Sequence, residues 1–276
     1  MMMVNNEIKN KYRGPVKAVI FDMAGTTIDY GSCAPAGSFI ELFRRYKINV
    51  TNKQAREPMG LHKRDHIKAI TEMPEIKNQW KAVYKQDCSE NDINKLYAEF
   101  IPIQIENLPN YSELIPGTVE TIAQLQSKGI KVGLTTGYNR EMMNIVLQGF
   151  YRDGVRPDTV VCAEEVAKGR PAPWMIFNCM QNLGVYPADA VVKIGDTIPD
   201  IESGINAGCW SIGVAKTGNM LGISLEEVDK TESWKLQYKL DKAYKNMYDS
   251  GAHFVVDSIN ECHSVINSIS EMNCCL

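Results

Sequence analysis

Six short runs of apolar, mostly β-branched residues recur along the chain: "KAVIF" near 17, "IKVGLTT" near 130, "DTVVCA" near 158, "AVVKIG" near 190, "WSIGV" near 210 and "HFVVD" near 253. They are continuously apolar rather than strictly alternating. Such runs suit strands covered on both faces, as in a parallel sheet clad by helices. Helical patterns separate several of them. "TVETIAQLQSKG" places Val119, Ile122 and Leu125 on one stripe, with Gly129 as its terminator, and "YNREMMNIVLQGF" is similar. This alternation predicts an α/β fold with a doubly wound parallel sheet.

The segment between the first and second runs carries no strand pattern. "APAGSFIELFRRYKI" is helix-like, with Phe39, Leu42 and Phe43 on one side. "TNKQAREPMG" offers a capping-box start at Thr51 and Gln54. "LHKRDHIKAITEM" continues helical and supplies Leu61, Ile67 and Ile70 to a core, while "SENDINKLYAEFIP" predicts a helix from Ser89 to a stop near Pro102. An all-helical insertion directly after the first strand reads as a cap domain over the strand ends. The expected division is an α/β core of 1–31 and 112–276 and a helical cap of 32–111, with "LPNYSELIPG" as the return hinge. The charged stretch 220–250 reads as a peripheral helix pair covering the sheet edge.

Composition excludes several classes. The chain has 276 residues, 44% hydrophobic, enough to bury a sizeable core. A net charge of -3 gives no general case for nucleic-acid binding. No apolar stretch approaches the roughly 18 residues that span a bilayer. "MMMVNNEIKNKYRG" has no apolar signal core, so a cytoplasmic location is expected, with the eight cysteines as reduced thiols. None forms a CxxC pair, which argues against zinc.

Chemistry-bearing residues cluster where the runs end. Asp22 ends the first, "TTGY" (Thr135 to Tyr138) the second, "AKGRPAPW" with Lys168 and Arg170 follows the third, and "GDTIPD" with Asp196 and Asp200 ends the fourth. Ligand sites in open α/β sheets lie at the carboxyl ends of the strands, so all four segments should converge. A carboxylate can attack phosphorus, provided cations offset its repulsion by a phosphoryl dianion. Asp22, Asp196 and Asp200 suit Mg²⁺, which prefers oxygen ligands. Thr136 can donate to a phosphoryl oxygen and Arg170 can clamp two. Many phosphoryl-transfer sites of this shape carry a second Asp two residues after the first, to protonate the leaving group. Here that position is Ala24.

In this order the segments resemble the haloacid dehalogenase superfamily. Within it, "DMAGTTIDYG", "PMGLHKRDHIKA", "TTGYNREMM", "GRPAPW" and "GDTIPD" are similar to the phosphonoacetaldehyde hydrolase (phosphonatase) family, over nearly the whole chain. The resemblance implies a Rossmann-like core with a helical cap, a homodimer, and Mg²⁺-dependent cleavage of the carbon–phosphorus bond of phosphonoacetaldehyde to acetaldehyde and phosphate. It implies Asp22 as nucleophile and Lys63 as the amine that condenses with the aldehyde. His66 would move protons, and Met59, Thr136, Gly137, Tyr138 and Arg170 would contact substrate. Asp22, the Ala24 carbonyl, Asp196 and Asp200 would hold the metal. The chemistry agrees with Ala24. A carbon leaving group needs an electron sink rather than an acid, and a lysine imine is one. A neutral Lys63 requires a lowered pKa, from desolvation or nearby cations. The family's "DYGC" pattern reads "DYGSC" here, with Ser32 in the cysteine's place, and Cys33 is given no role. The rival readings are a phosphomonoesterase or phosphomutase of the same superfamily, which Ala24 opposes, and a non-catalytic phosphate-sensing module, which Lys63 and Arg170 oppose.

Overall fold

The computed structural model describes residues 12–275; the polar lead-in 1–11 lies outside the described residues. Six strands, β1 (Ala18–Phe21), β2 (Lys131–Thr136), β3 (Thr159–Cys162), β4 (Val191–Gly195), β5 (Trp210–Val214) and β6 (Phe254–Val256), form one sheet in the order β3-β2-β1-β4-β5-β6. Every pairing is parallel. Each apolar run in the sequence is one of these strands. β1 is buried throughout because both sheet faces are covered. Val19 and Phe21 join one apolar cluster with Val132, Leu134 and Ile194, while Ala18 and Ile20 join another with Val161 and Val191. The strand order reverses direction between β1 and β4, so the crevice at their carboxyl ends is the topological switch point.

Five helices fill the insertion after β1: α1 (Cys33–Arg45), α2 (Asn52–Arg56), α3 (Lys63–Glu72), α4 (Pro74–Tyr84) and α5 (Glu90–Asn107). Phe39 of α1 stacks on Phe100 of α5 at 4.4 Å and on the His66 ring of α3 at 3.9 Å, which ties the insertion to its own small core. The Thr51–Gln54 capping box is formed. Two expectations fail here. α5 does not stop at Pro102 but runs through it to Asn107. Proline forfeits one backbone bond, yet the apolar side chains of Phe100 and Ile103 beside it are buried and hold the helix in place. Leu61 lies in the turn before α3, half-buried, rather than in the core. α4, which no sequence expectation covered, buries only Ile76 and Trp80 of its eleven residues, too faint a stripe to read.

The return segment passes through a short 3-10 turn, Leu108–Tyr111, into α6 (Thr118–Ser127). The remaining helices alternate with strands: α7 (Arg140–Arg152), α8 (Trp174–Leu183) and α9 (Ile198–Asn206). The charged stretch forms α10 (Leu225–Lys230) and α11 (Ser233–Asp249), whose Val228, Leu240, Ala243 and Met247 pack with Ile201 and Val255 beside β6. α12 (Cys262–Cys275) follows β6. No helix among the described residues is long and apolar enough to cross a membrane.

Candidate active site

Each strand-end segment delivers its residue to the crevice through local geometry. β1 stops at Asp22, whose N–H still donates to Ile194 O at 2.8 Å, and the chain then turns back on itself through Ile28 N–H to Met23 O at 3.0 Å. Gly25 makes that turn with φ +84°; a Cβ there would lie 2.2 Å from Asp196 Oδ2, so only glycine lets the loop meet the carboxylate. Thr136 accepts Tyr138 N–H at 3.1 Å, which leaves the hydroxyl hydrogen free to donate into the crevice. Arg170 donates to Asp22 Oδ1 at 2.7 Å and also to Asp200 Oδ1.

Asp22, Asp196 and Asp200 are all buried, with ligand oxygens within 4.8 Å of one another. Burial pushes Asp196 well above the usual carboxylate range, and the charges of Asp22 and Asp200 push it further. Burial also raises Asp200, but Arg170 and Lys193 more than reverse this and bring it to about 2. A hard divalent cation fits this donor set, since it would relieve the repulsion stored at Asp196.

The insertion closes the crevice from above. One cavity is lined from the core by Asp22, Ala24, Thr136, Gly137, Tyr138, Arg170 and Asp196, and from the insertion by Met59, Gly60 and Lys63. Gly60 (φ +96°) lets the insertion touch the core, because a Cβ there would stand 2.4 Å from Thr197 Oγ1. Lys63, the first residue of α3, is 5% exposed. Its Nζ faces the Tyr138 ring at 5.3 Å and the Phe39 ring at 5.6 Å. Desolvation, then the Arg170 charge, lower it from 10.5 to about 8, against the pull of Asp22 and Asp29.

His66 stands one turn further along α3, outside the cavity lining. Its Nε2 lies 2.8 Å from Ala55 O, so Nε2 carries the proton, while Nδ1 is buried without a hydrogen-bond partner. Burial and the Lys63 charge hold its pKa well below 6.5, so the ring is neutral. Asp200 also stands behind the lining. Lys168 does not join the site; it is exposed, and the second interior cation is Lys193 of β4. Lys193 Nζ lies 2.9 Å from Asp200 Oδ1 and donates to Thr135 Oγ1 at 3.2 Å. It was hidden inside "AVVKIG", where a single lysine in an apolar strand was the one available signal. Asp29 was also passed over. Its carboxylate accepts the Cys33 and Ala34 N–H groups, both at 3.0 Å, and so caps α1 at the exit to the insertion.

Comparison with known proteins shows the family of the chain. The family model described as haloacid dehalogenase-like hydrolase matches residues 19–214. A phosphonoacetaldehyde hydrolase from Bacillus cereus (strain AH820) is 44% identical over 256 residues, 93% of this chain and 97% of that protein. The chain belongs to the phosphonoacetaldehyde hydrolase family of haloacid dehalogenase-like hydrolases. A bifunctional phosphonoacetaldehyde hydrolase/aminoethylphosphonate transaminase from Clostridioides difficile (strain 630) is 45% identical over 262 residues; the chain spans 95% of its own length but 41% of that relative. The crystal structure of a phosphonoacetaldehyde hydrolase-like protein from Oleispira antarctica superposes with a TM-score of 0.95, at 38% identity over 99% of this chain and 98% of that one. A β-phosphoglucomutase-like structure from Bacteroides vulgatus shares the fold alone, at 19% identity and a TM-score of 0.67.

Proposed function

We propose that this protein hydrolyses the carbon–phosphorus bond of phosphonoacetaldehyde, giving acetaldehyde and phosphate. The observation that carries the reading is Lys63: a buried lysine lining the same cavity as Asp22, depressed to about 8, in a site whose acid position is Ala24. In its neutral form Lys63 adds to the aldehyde, and loss of water leaves a protonated imine. Asp22 then attacks phosphorus. The carbon–phosphorus bonding pair moves into the imine, so an enamine departs and an aspartyl phosphate forms. The enamine takes a proton at carbon, water releases acetaldehyde and frees Lys63, and a second water releases phosphate from Asp22. One water is consumed overall, because the first condensation returns one.

The other side chains serve these steps. Arg170 and Thr136 hold the phosphoryl oxygens, with the Gly137 and Tyr138 segment beside them. Tyr138 and Met59 keep the amine side of the cavity apolar. His66, neutral and with Nδ1 free, is the proton carrier between amine and enamine. Asp22, Asp196, Asp200 and the Ala24 carbonyl would hold Mg²⁺, which would supply positive charge to offset the repulsion between carboxylate and phosphoryl dianion. The insertion, taken as residues 32–111, acts as the cap that dries the site. The same reading carries a homodimer as the assembly and the cytoplasm as the location. An ester phosphatase or phosphomutase reading lacks the acid that its alkoxide would need, and a sensing module has no use for Lys63.

Borohydride tests the imine directly. Added with phosphonoacetaldehyde, it should inactivate the enzyme and add the mass of the reduced adduct to the peptide holding Lys63, and it should do neither alone. Labelling of a different lysine, or none while acetaldehyde is released, would sink the mechanism.

A further inference from the structure

The loop after β5 is pressed between the cap segment and Asp196. At one end Gly218 lies so near that an added Cβ would stand 2.3 Å from Asp196 Cβ; at the other, a Cβ on Gly222 would stand 2.9 Å from Arg56 Nε. Asn219 lies between them. Its backbone N–H donates to Asp196 Oδ2 at 2.7 Å. Its side chain is paired twice with Arg56, the last residue of α2. Arg56 Nη1 donates to Asn219 Oδ1 at 3.1 Å, and Asn219 Nδ2 donates to the Arg56 carbonyl at 3.2 Å. The same Nη1 donates to the carbonyls of Gly31 at 2.7 Å and Ser32 at 3.1 Å, where the chain leaves the core. Asn52 Oδ1 fixes the guanidinium from behind, accepting from Nε at 2.7 Å.

We propose that Asn219 is a positioning residue that couples the seating of Arg56 to the orientation of the Asp196 carboxylate. With α2 in place, the paired Arg56 and Asn219 hold the Asn219 amide against Asp196 Oδ2 at 2.7 Å, a closer contact than the 3.4 Å from Thr26 Oγ1 to the other oxygen. When Arg56 leaves its carbonyl partners, Asn219 loses both side-chain bonds and the loop loses its stop at Gly222. Asp196 then loses a fixed donor. Groups that orient a ligand carboxylate typically govern metal affinity by about 10-fold or more. The inference rests on the reading of Asp196 as a metal-holding residue.

The test uses the full-length, metal-free protein and Mn²⁺ as the probe, with binding followed by electron paramagnetic resonance. Asn219→Ala and Arg56→Lys should each weaken Mn²⁺ about 10-fold. The double variant should be no weaker than the worse single one, because the two residues act as one link. Hydrogen exchange in α2 should quicken in Asn219→Ala, a readout that needs no Arg56 variant. Asp196→Asn is the control and should lose Mn²⁺ binding. If that control binds Mn²⁺ like the parent, the metal reading of Asp196 falls and the link falls with it. If the control fails to bind while Asn219→Ala binds normally, or if the single effects multiply to about 100-fold, the link alone is overturned.

Discussion

Lys193 rises from β4 and Lys63 from the first turn of α3, and both are buried beside the same crevice. Lys193 is answered at every turn: by Asp200 at 2.9 Å, by Thr135 Oγ1 at 3.2 Å and by the Ile194 carbonyl at 3.1 Å. Lys63 looks onto two aromatic faces, with the Arg170 charge adding to its cost. Lys193 has a carboxylate to answer its charge. Lys63, desolvated and near the Arg170 charge, gives up its proton within reach of neutral pH even though the two ring faces favour the ammonium. The sheet side of the site thus gives Lys193 polar partners, and the insertion side gives Lys63 aromatic ones. A reaction that needs a cationic phosphoryl pocket and a neutral amine in one cavity is served by that division.

Exchanging the two lysines' surroundings, or removing either lysine, separates the roles. The largest effect is expected at Lys63. Lys63→Arg keeps a cation but cannot form an imine, since guanidinium does not lose its proton. Acetaldehyde release should fall to background while the melting temperature holds. An active Lys63→Arg enzyme would erase the contrast between the lysines. Lys193→Met should do the opposite kind of damage. It leaves Asp200 with Arg170 and the Thr197 hydroxyl and removes a buried ion-pair partner, at a cost of about 3 kcal/mol, or roughly 6–12 °C in melting temperature. Borohydride trapping at Lys63 should survive in whatever fraction folds. A Lys193→Met protein as stable as its parent would mean that Arg170 suffices for Asp200.

How much of this could be read from residues alone follows the same division. The strands were legible because a parallel sheet buries both faces and so writes continuous apolar runs, as in Val19 to Phe21. The strand-end residues were legible because chemistry sits at fixed places relative to those runs. Lys193 was not, because a strand pattern says which residues are buried and not which partners they meet. α4 was not, because two buried side chains make no stripe. Pro102 misled because the local cost of a proline was weighed without the packing of Phe100 and Ile103 beside it. Asp29 was overlooked because its partners are backbone amides of residues that any sequence could supply. The Arg56–Asn219 contact joins residues far apart in the chain, and no local pattern announces it.

The smallest expected effect is also the most specific, and it concerns pH. Lys63 is lowered from 10.5 to about 8 by desolvation and by the Arg170 charge. Its neutral fraction therefore grows as pH rises, reaches one half near pH 8 and is nearly complete about one unit above it. Below that point kcat/KM should fall by about 10-fold per pH unit, the limit for loss of one proton-free group. Asp29 complicates the acid side. Its carboxyl is pushed up to about 7, chiefly by burial and against the pull of the Ala34 and Cys33 amides, so it also takes up a proton there. Activity alone would mix the two. Competitive acetylation with peptide mass spectrometry separates them, because it reads each lysine's neutral fraction by itself. The Lys63 peptide should reach half-maximal reactivity near pH 8, well below the roughly 10.4 of an unperturbed lysine side chain. Coincidence of the Lys63 curve with the kcat/KM limb would tie the rate to that amine. A Lys63 curve near the unperturbed lysine value of roughly 10.4 would mean that the insertion does not dry the amine, and the distinction between the two sides of the site would lose its physical basis.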